Sequence, residues 1–407
     1  LFGGEMLTTL VALLGLSLLT REPSLFLLTL SLLVAATLSR LWERYCLVRV
    51  EYRRRFTLTR VPFGEEIQME VEVVNRKFLP LSWLEVEDEL PRRLEPKRGR
   101  VRSCSKPGRT LLTLLIALRP YERVRRRYTL RCLARGEHLI GPARLRSGDL
   151  FGFVTVERTT QPMDSLVVYP RVVPLNRLGL PARHPLGELQ AQSWIFEDVN
   201  RLAGVREYRA EDGLRRIHWP ASARAQRLQT KVYEATTSHK LAIFLNVEKA
   251  DEECADQSGD ADVLEMGITA AASVANWGLD QGYQVGLYCN GRHRGADGVV
   301  AVEPGRDSQQ LERILLALGR LQLDQSLRFE TLLAEETRRF PFGVTLVVVT
   351  AYLTPAVGKA VLGLRRRGYP MALLLSGVQG DIPPLEGAVV RRVGPPDGWR
   401  NMERLAL

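Results

Sequence analysis

Two uncharged apolar runs open the chain. Residues 6–20 read MLTTLVALLGLSLLT and residues 25–38 read LFLLTLSLLVAATL, with the polar turn Arg21–Ser24 between them. Neither run keeps the polar face of a soluble core helix, so the pattern predicts a hairpin of two membrane helices. Each run alone falls short of the roughly 20 residues that cross a bilayer. Adding Leu1–Glu5 to the first and Ser39–Val50 to the second makes both long enough. A cleaved signal peptide would need a basic stretch before the apolar run and a small-x-small site after it.

From Phe56 to about Pro174 the period changes to two. Ile67–Asn75, Leu81–Leu90, Thr110–Leu118 and Arg127–Ala134 alternate as strands, separated by turn signals such as PFGEE, KRGR and KPGR. Short strands without helical periods between them predict an antiparallel β-sandwich. Beyond Lys240 the pattern changes again. Lys240–Glu248, Val344–Thr350 and Met371–Gly377 are apolar runs suited to buried parallel strands, with YQVGLYC and VVAV as further strands. Helical spacing marks Asp262–Gly282, Asp307–Leu321 with Asp307 as its cap, and a segment opened by Thr354-Pro355 that stops at Gly368. The alternation predicts an α/β doubly wound domain. The expected organisation is a hairpin at 1–50, a β-sandwich at 51–175, a linker at 176–239 and the α/β domain at 240–407.

Charge adds an orientation. The 407-residue chain carries a formal net charge of +11, mostly as arginine. Arg40, Arg44, Arg49, Arg53, Arg54 and Arg55 crowd the exit of the second apolar run, with Trp42 and Tyr45 where interfacial aromatics belong. The positive-inside rule then puts the bulk of the chain in the cytoplasm, as a multi-pass protein of the cell membrane. These arginines are expected to face anionic lipid head groups. The arginines at 92, 93, 98, 100, 102, 123, 125, 126 and 127 fit the solvated outer face of alternating strands better than a binding face. Aromatics are sparse among them, which makes nucleic acid an unlikely partner. The 5 cysteines are widely spread and form no C-x-x-C pair, so neither a zinc site nor a disulfide framework is indicated.

The most distinctive stretch is Gly204–Glu234, GVREYRAEDGLRRIHWPASARAQRLQTKVYE. Arg206, Glu207, Tyr208, Asp212, Arg215, Ile217, Trp219, Ala223, Arg224, Leu228, Tyr233 and Glu234 stand in the register of the signature of the domain of unknown function 58 family, which this stretch closely resembles. One departure is Glu211, where the family has glycine; Gly213 follows instead. Arg135–Phe153 and Leu166–Leu175 also resemble family segments. On the residues alone, the stretch is expected to be an ion-paired linker with Trp219 as its hydrophobic anchor and a short helix starting at Pro220. His218 reads as a hydrogen-bonding residue rather than a catalyst.

The resemblance implies two N-terminal membrane segments and a C-terminal domain similar to a von Willebrand factor A domain. It also implies an AAA+ ATPase partner of the MoxR type. Domains of that kind often hold a divalent cation through D-x-S-x-S after the first strand. Here Asn246, Glu248 and Ala250 occupy those positions, and Ala351 stands where a later aspartate belongs, so the metal site is expected to be lost and no cofactor is implied. No G-x-S-x-G, Walker loop, H-E-x-x-H or dinucleotide fingerprint is present, which favours a non-enzymatic membrane-anchored scaffold or adaptor. The alternatives are a metal-dependent ligand-binding module and a basic protein that binds nucleic acid or anionic lipid.

Overall fold

The computed structural model describes residues 4–20, 23–149, 154–160, 163–178, 197–209, 217–235, 240–248, 257–293, 298–340, 344–376 and 389–394. The chain divides into two compact units, Leu1–Tyr169 and Pro170–Leu407. The hairpin helices fall in the first unit and the signature segment falls in the second.

The first unit begins with helices α1 (Gly4–Thr20) and α2 (Pro23–Tyr45), which pack together. Their buried positions are Leu10 and Ser17 on α1, and Thr29, Ala36 and Ser39 on α2. The hydroxyls of Ser17 and Thr29 donate to carbonyls of their own helices, at Leu14 (2.7 Å) and Leu25 (2.9 Å). Most of the exposed positions are apolar, among them Leu16, Leu19, Leu27, Leu28, Leu32 and Leu38. Among the described residues one helix, α2, is long and apolar enough to cross a membrane; the apolar stretch of α1, Thr8–Ser17, is shorter.

The end of α2 is fastened to the domain that follows. Ser39 donates its hydroxyl to Asp149 Oδ2 (2.9 Å), and Trp42 packs on the sandwich core. Beyond the helix, Lys77 Nζ donates to the carbonyls of Cys46 and Val48, and Arg158 donates to those of Leu47 and Val50. Two cations thus meet carbonyls at a helix C-terminus, where charge and hydrogen bonding both favour them.

Twelve strands follow: β1 (Val50–Phe56), β2 (Arg60–Val61), β3 (Glu66–Asn75), β4 (Leu81–Pro91), β5 (Leu94–Pro96), β6 (Arg100–Ser103), β7 (Arg109–Leu118), β8 (Arg123–Cys132), β9 (Gly136–Ile140), β10 (Ala143–Gly148), β11 (Thr155–Thr159) and β12 (Asp164–Val168). They form sheets in the orders β1-β3-β8-β5, β11-β10-β4-β7-β6 and β2-β12-β9, antiparallel except for the β2–β12 pair. Met69, Leu84, Leu90, Leu130 and Leu145 lie in the shared core. The four strands read from alternation are all present. The arginines of β8 pair across to acids of β3: Arg123 and Arg125 with Glu72 (3.2 and 3.1 Å), and Arg127 with Glu70 (3.0 Å). These cross-strand pairs lie on a half-exposed face and are individually weak.

Arg54 departs from the expectation that the arginines after α2 face lipid. Period-two alternation along β1 turns Tyr52 and Arg54 inward while Arg53 and Arg55 stay exposed. The Arg54 guanidinium reaches Asp88 (2.7 Å) and Asp164 (2.9 Å).

In the second unit, β13 (Glu197–Glu207) and β14 (Gln229–Ala235) pair antiparallel, with helix α3 (Trp219–Ala225) between them. Then come β15 (Lys240–Leu245), α4 (Gln257–Asp280), β16 (Gln284–Cys289), β17 (Gly291–His293), β18 (Val300–Gly305), α5 (Gln310–Arg320), β19 (Leu321–Gln325), α6 (Phe329–Thr337), β20 (Thr345–Thr350), α7 (Pro355–Arg366), β21 (Met371–Leu375) and β22 (Val389–Arg392). Six of these strands form a sheet ordered β18-β16-β15-β20-β21-β22, parallel except for the edge strand β18. One face buries Leu241, Ile243 and Leu245 with α4 and α5, and the other buries Ala242 and Phe244 with α6 and α7. The doubly wound reading therefore holds.

Local signals were mostly kept. Thr354 Oγ1 accepts from the backbone of Val357 (3.3 Å) to cap α7, and Gly368 follows that helix at φ +88. Asp307 is not the cap of α5. That helix begins later, behind Gln309, and Asp307 Oδ1 instead accepts from the backbone of Gln309 (3.0 Å) in the preceding turn. Helix α6, which the sequence did not announce, has its first turn held by Glu248, whose Oε1 accepts from Phe329 N (2.9 Å).

Candidate functional site

The signature segment folds as a closed local unit. Tyr208 N donates to Leu228 O (2.9 Å), and His218 N donates to Gln229 O (2.8 Å). Buried Ile217 bridges Thr230. His218 caps α3, its Nδ1 accepting from Ala221 N (3.0 Å), and Pro220 stands in the first turn as the sequence suggested. The hydroxyl of Ser222 donates to His218 O (3.0 Å) and accepts from Gln229 N (2.8 Å), tying the helix to β14. His218 is thus a hydrogen-bonding residue, engaged through its ring and its carbonyl.

What this scaffold displays differs from the expected anchor. Trp219, first residue of α3, is 66% exposed, and Val205 and Leu228 are exposed as well. Among the described residues of the segment the buried positions are Ile217, Ser222 and Thr230, and the indole is not among them. In the same segment Arg206, Glu207, Ala223, Arg224 and Arg227 are all exposed. Glu207 pairs with Arg227 (2.9 Å), a surface ion pair that the sequence reading did not single out. Arg206 donates to the Glu207 carbonyl (3.2 Å). Asp212 and Arg215 lie outside the described residues; the backbones of Tyr233 and Glu234 run in β14, and their side chains lie outside the described part.

The second candidate is the crevice at the strand tips, where the strand order turns between β15 and β20. Asn246 follows β15 and is buried. Its Nδ2 donates to Thr350 Oγ1 (3.2 Å) and lies 3.5 Å from Glu248 Oε2. Its Oδ1 accepts from Asn290 Nδ2 (2.9 Å) and from Glu248 N (3.0 Å). Thr350 in turn donates to Tyr352 O (2.7 Å), and Asn290 Oδ1 accepts from Val247 N (2.9 Å). Three strands are thereby laced together by neutral amides and a hydroxyl. Glu248 caps α6, where a carboxylate is favoured by the helix dipole, and Ala351, which follows β20, is buried and has no side-chain oxygen. Ala250 lies outside the described residues. Among the described residues no group of three His, Cys, Asp or Glu side chains is placed to hold a metal ion.

Fold and site together define a helical hairpin with a β-sandwich, followed by an α/β unit that bears a tryptophan-tipped hairpin. Residues 204–364 match the model of the family described as "Protein of unknown function DUF58". A curated relative, the uncharacterized protein YeaD of Bacillus subtilis, is 25% identical over 252 residues, which are 61% of this chain. The chain spans 58% of that relative's length. Among solved structures, the CARDB domain of a Pyrococcus furiosus protein is 10% identical, covering 29% of this chain and 91% of its own, with a TM-score of 0.20. A cohesin module of a Clostridium perfringens glycoside hydrolase is 10% identical, covering 29% of this chain and 96% of its own, at 0.21. A β-glucosidase of Listeria innocua is 14% identical, covering 30% of this chain and 17% of its own, at 0.18. At these TM-scores the structural likenesses carry no argument.

Proposed function

We propose that this chain is a non-enzymatic, membrane-tethered adaptor whose signature hairpin docks a protein partner, an AAA+ ATPase of the MoxR type. The observation that carries this reading is the exposure of Trp219, together with that of Val205, Leu228 and several charged side chains of the same segment. Tryptophan and arginine dominate binding hot spots, and an apolar centre with a polar rim is the usual anatomy of a specific interface. The tether supports the same role by holding the partner near the membrane and raising its effective concentration.

The membrane reading extends to both helices of the hairpin, with the remainder cytoplasmic. At 1.5 Å per residue, α2 is about 35 Å long and α1 about 26 Å, against a hydrocarbon core of about 30 Å. The distribution of side chains supports lipid as the solvent: Leu16, Leu19, Leu27, Leu28 and Leu38 are exposed, while Ser17, Thr29 and Ala36 are buried. The α/β unit is read as similar to a von Willebrand factor A domain, supported by its strand order and antiparallel edge strand. Its strand-tip crevice then serves as a structural lock rather than a cation site.

The test is copurification from membranes. Full chain carrying Trp219→Ala or Leu228→Ala should lose the ATPase while melting within a few degrees of the unaltered chain. Retention of the ATPase by both variants, or its absence from the unaltered preparation, contradicts the reading.

A further inference from the structure

Two turns at one end of the sandwich are built as a single piece. Asn75, fully buried, donates Nδ2 to Leu79 O and to Arg119 O, both at 3.0 Å. Its backbone N donates to Glu122 O (2.9 Å), and Tyr121 N donates to Lys77 O (3.2 Å). The β3–β4 and β7–β8 turns are therefore locked to each other. What they present is unusual for loop tips: Phe78 is 79% exposed and Tyr121 is 69% exposed. Tyr121 is also held at φ +54, a left-handed conformation that glycine or asparagine normally takes. A bulky ring in that conformation gains no core contact to offset the strain, which points to a role outside folding.

These tips adjoin the end of α2. Lys77, between Arg76 and Phe78, donates Nζ to Val48 O (3.0 Å), and Arg76 N donates to Arg49 O (3.0 Å). Val48, Arg49, Arg76 and Arg119 are exposed, and Arg76 is shared with Glu51 (2.9 Å). Aromatic rings with arginines, placed where an apolar helix ends, match the chemistry of the bilayer interface. Rings of this kind settle at head-group level, and arginines meet lipid phosphates.

We propose that this end of the sandwich rests in the head-group layer of an anionic bilayer, with Phe78 and Tyr121 as wedges and Arg49 and Arg119 against lipid phosphates. The proposal rests on the reading of α2 as membrane-inserted. It turns the tether into a two-point attachment that fixes how the sandwich stands on the membrane.

Spin-label accessibility on the full chain in vesicles of phosphatidylcholine and phosphatidylglycerol separates the two. A Cys104→Ser, Cys254→Ser background leaves only the buried Cys46, Cys132 and Cys289. Labels are placed at Phe78→Cys, Tyr121→Cys, Leu27→Cys on α2 and Ser105→Cys, the last an exposed residue at the other end of β7. Labels at 78 and 121 should collide severalfold more with oxygen relative to a water-soluble nickel complex than the label at 105. That contrast should fall when phosphatidylglycerol is omitted or when Arg49 and Arg119 are replaced by glutamine. A lipid-like signal at 27 with water-like signals at 78 and 121 overturns the proposal and leaves the membrane helix standing. A water-like signal at 27 overturns both. Equal shielding of 78 and 121 in detergent and in vesicles points to contact with a second copy of the chain and likewise overturns the proposal.

Discussion

Arg54 and Asp88 form an ion pair at 2.7 Å with side chains 1% and 3% exposed, so two charges from β1 and β4 are held together out of water. Tyr52 donates its hydroxyl to Asp88 Oδ2 (2.6 Å), and Asp164 takes the guanidinium Nε at 2.9 Å. Every strong donor and acceptor in the cluster thus has a partner, the condition under which buried charge is tolerated. Arg54→Ala leaves Asp88 buried and uncompensated, and it should lower unfolding free energy by about 3–5 kcal/mol. Combining Arg54→Met with Asp88→Leu should cost less than the single change, because no buried lone charge remains; Asp164, which also loses the guanidinium, is 38% exposed and can be hydrated. Denaturant melts of the full chain in detergent check this order; a double variant less stable than Arg54→Ala contradicts it.

Lys77 gives a pH signature. Burial lowers its pKa from 10.5 to about 8, and the neighbouring Arg158 guanidinium pushes it the same way, while Nζ donates to backbone carbonyls at the α2 exit. Between those values the unfolded chain binds more protons than the folded one, so stability rises as pH climbs from about 8 towards 10.5 and is lost again on the way down. Relative to Lys77→Met, the unaltered chain should gain up to about 3 kcal/mol across that window. Parallel stability profiles for the two proteins would refute the assignment.

Asn246 should act as a structural residue. Asn246→Asp removes the donation to Thr350 and sets a second carboxylate near Glu248 Oε2, 3.5 Å from the present amide nitrogen. A loss of about 1–3 kcal/mol at neutral pH is expected, shrinking as the pair becomes protonated. Titrating Mg²⁺ or Mn²⁺ into the unaltered full chain should show no stoichiometric site tighter than about millimolar. Micromolar binding would mean that the crevice assembles ligands beyond those described.

Much of the fold was legible because periodicity is local. The alternation of Ile67–Asn75 and the apolar run of Lys240–Glu248 need no distant information to be read as strands. Arg54 was misread because its meaning depends on Asp88, 34 residues away, and in isolation an Arg-Arg-Arg run looks like a lipid-facing cluster. Helix α6 was missed because its first turn is held by Glu248, 81 residues earlier in the chain. Trp219 was expected inside because large rings usually bury; among the described residues of the segment Ile217, Ser222 and Thr230 are the buried ones instead. His218 was read as a hydrogen-bonding residue because a lone histidine in a charged loop is more often that than a catalyst, and its ring does accept from Ala221 N.

Trp219 also separates folding from recognition. With its ring 66% exposed, Trp219→Ala should change unfolding free energy by no more than about 0.5 kcal/mol. A loss of about 3–5 kcal/mol, the cost of deleting a buried tryptophan, would return the residue to a core role. Melting of the purified full chain decides between them.

The adaptor account is tested most directly by a photo-crosslinking amino acid at position 219 of the full chain in its native membrane, with position 105 as control. The account predicts a crosslink from 219 to an AAA+ ATPase, identified by mass spectrometry and absent from 105. Crosslinks from 219 only to lipid or to the chain itself, with the protein present at normal level, would contradict it.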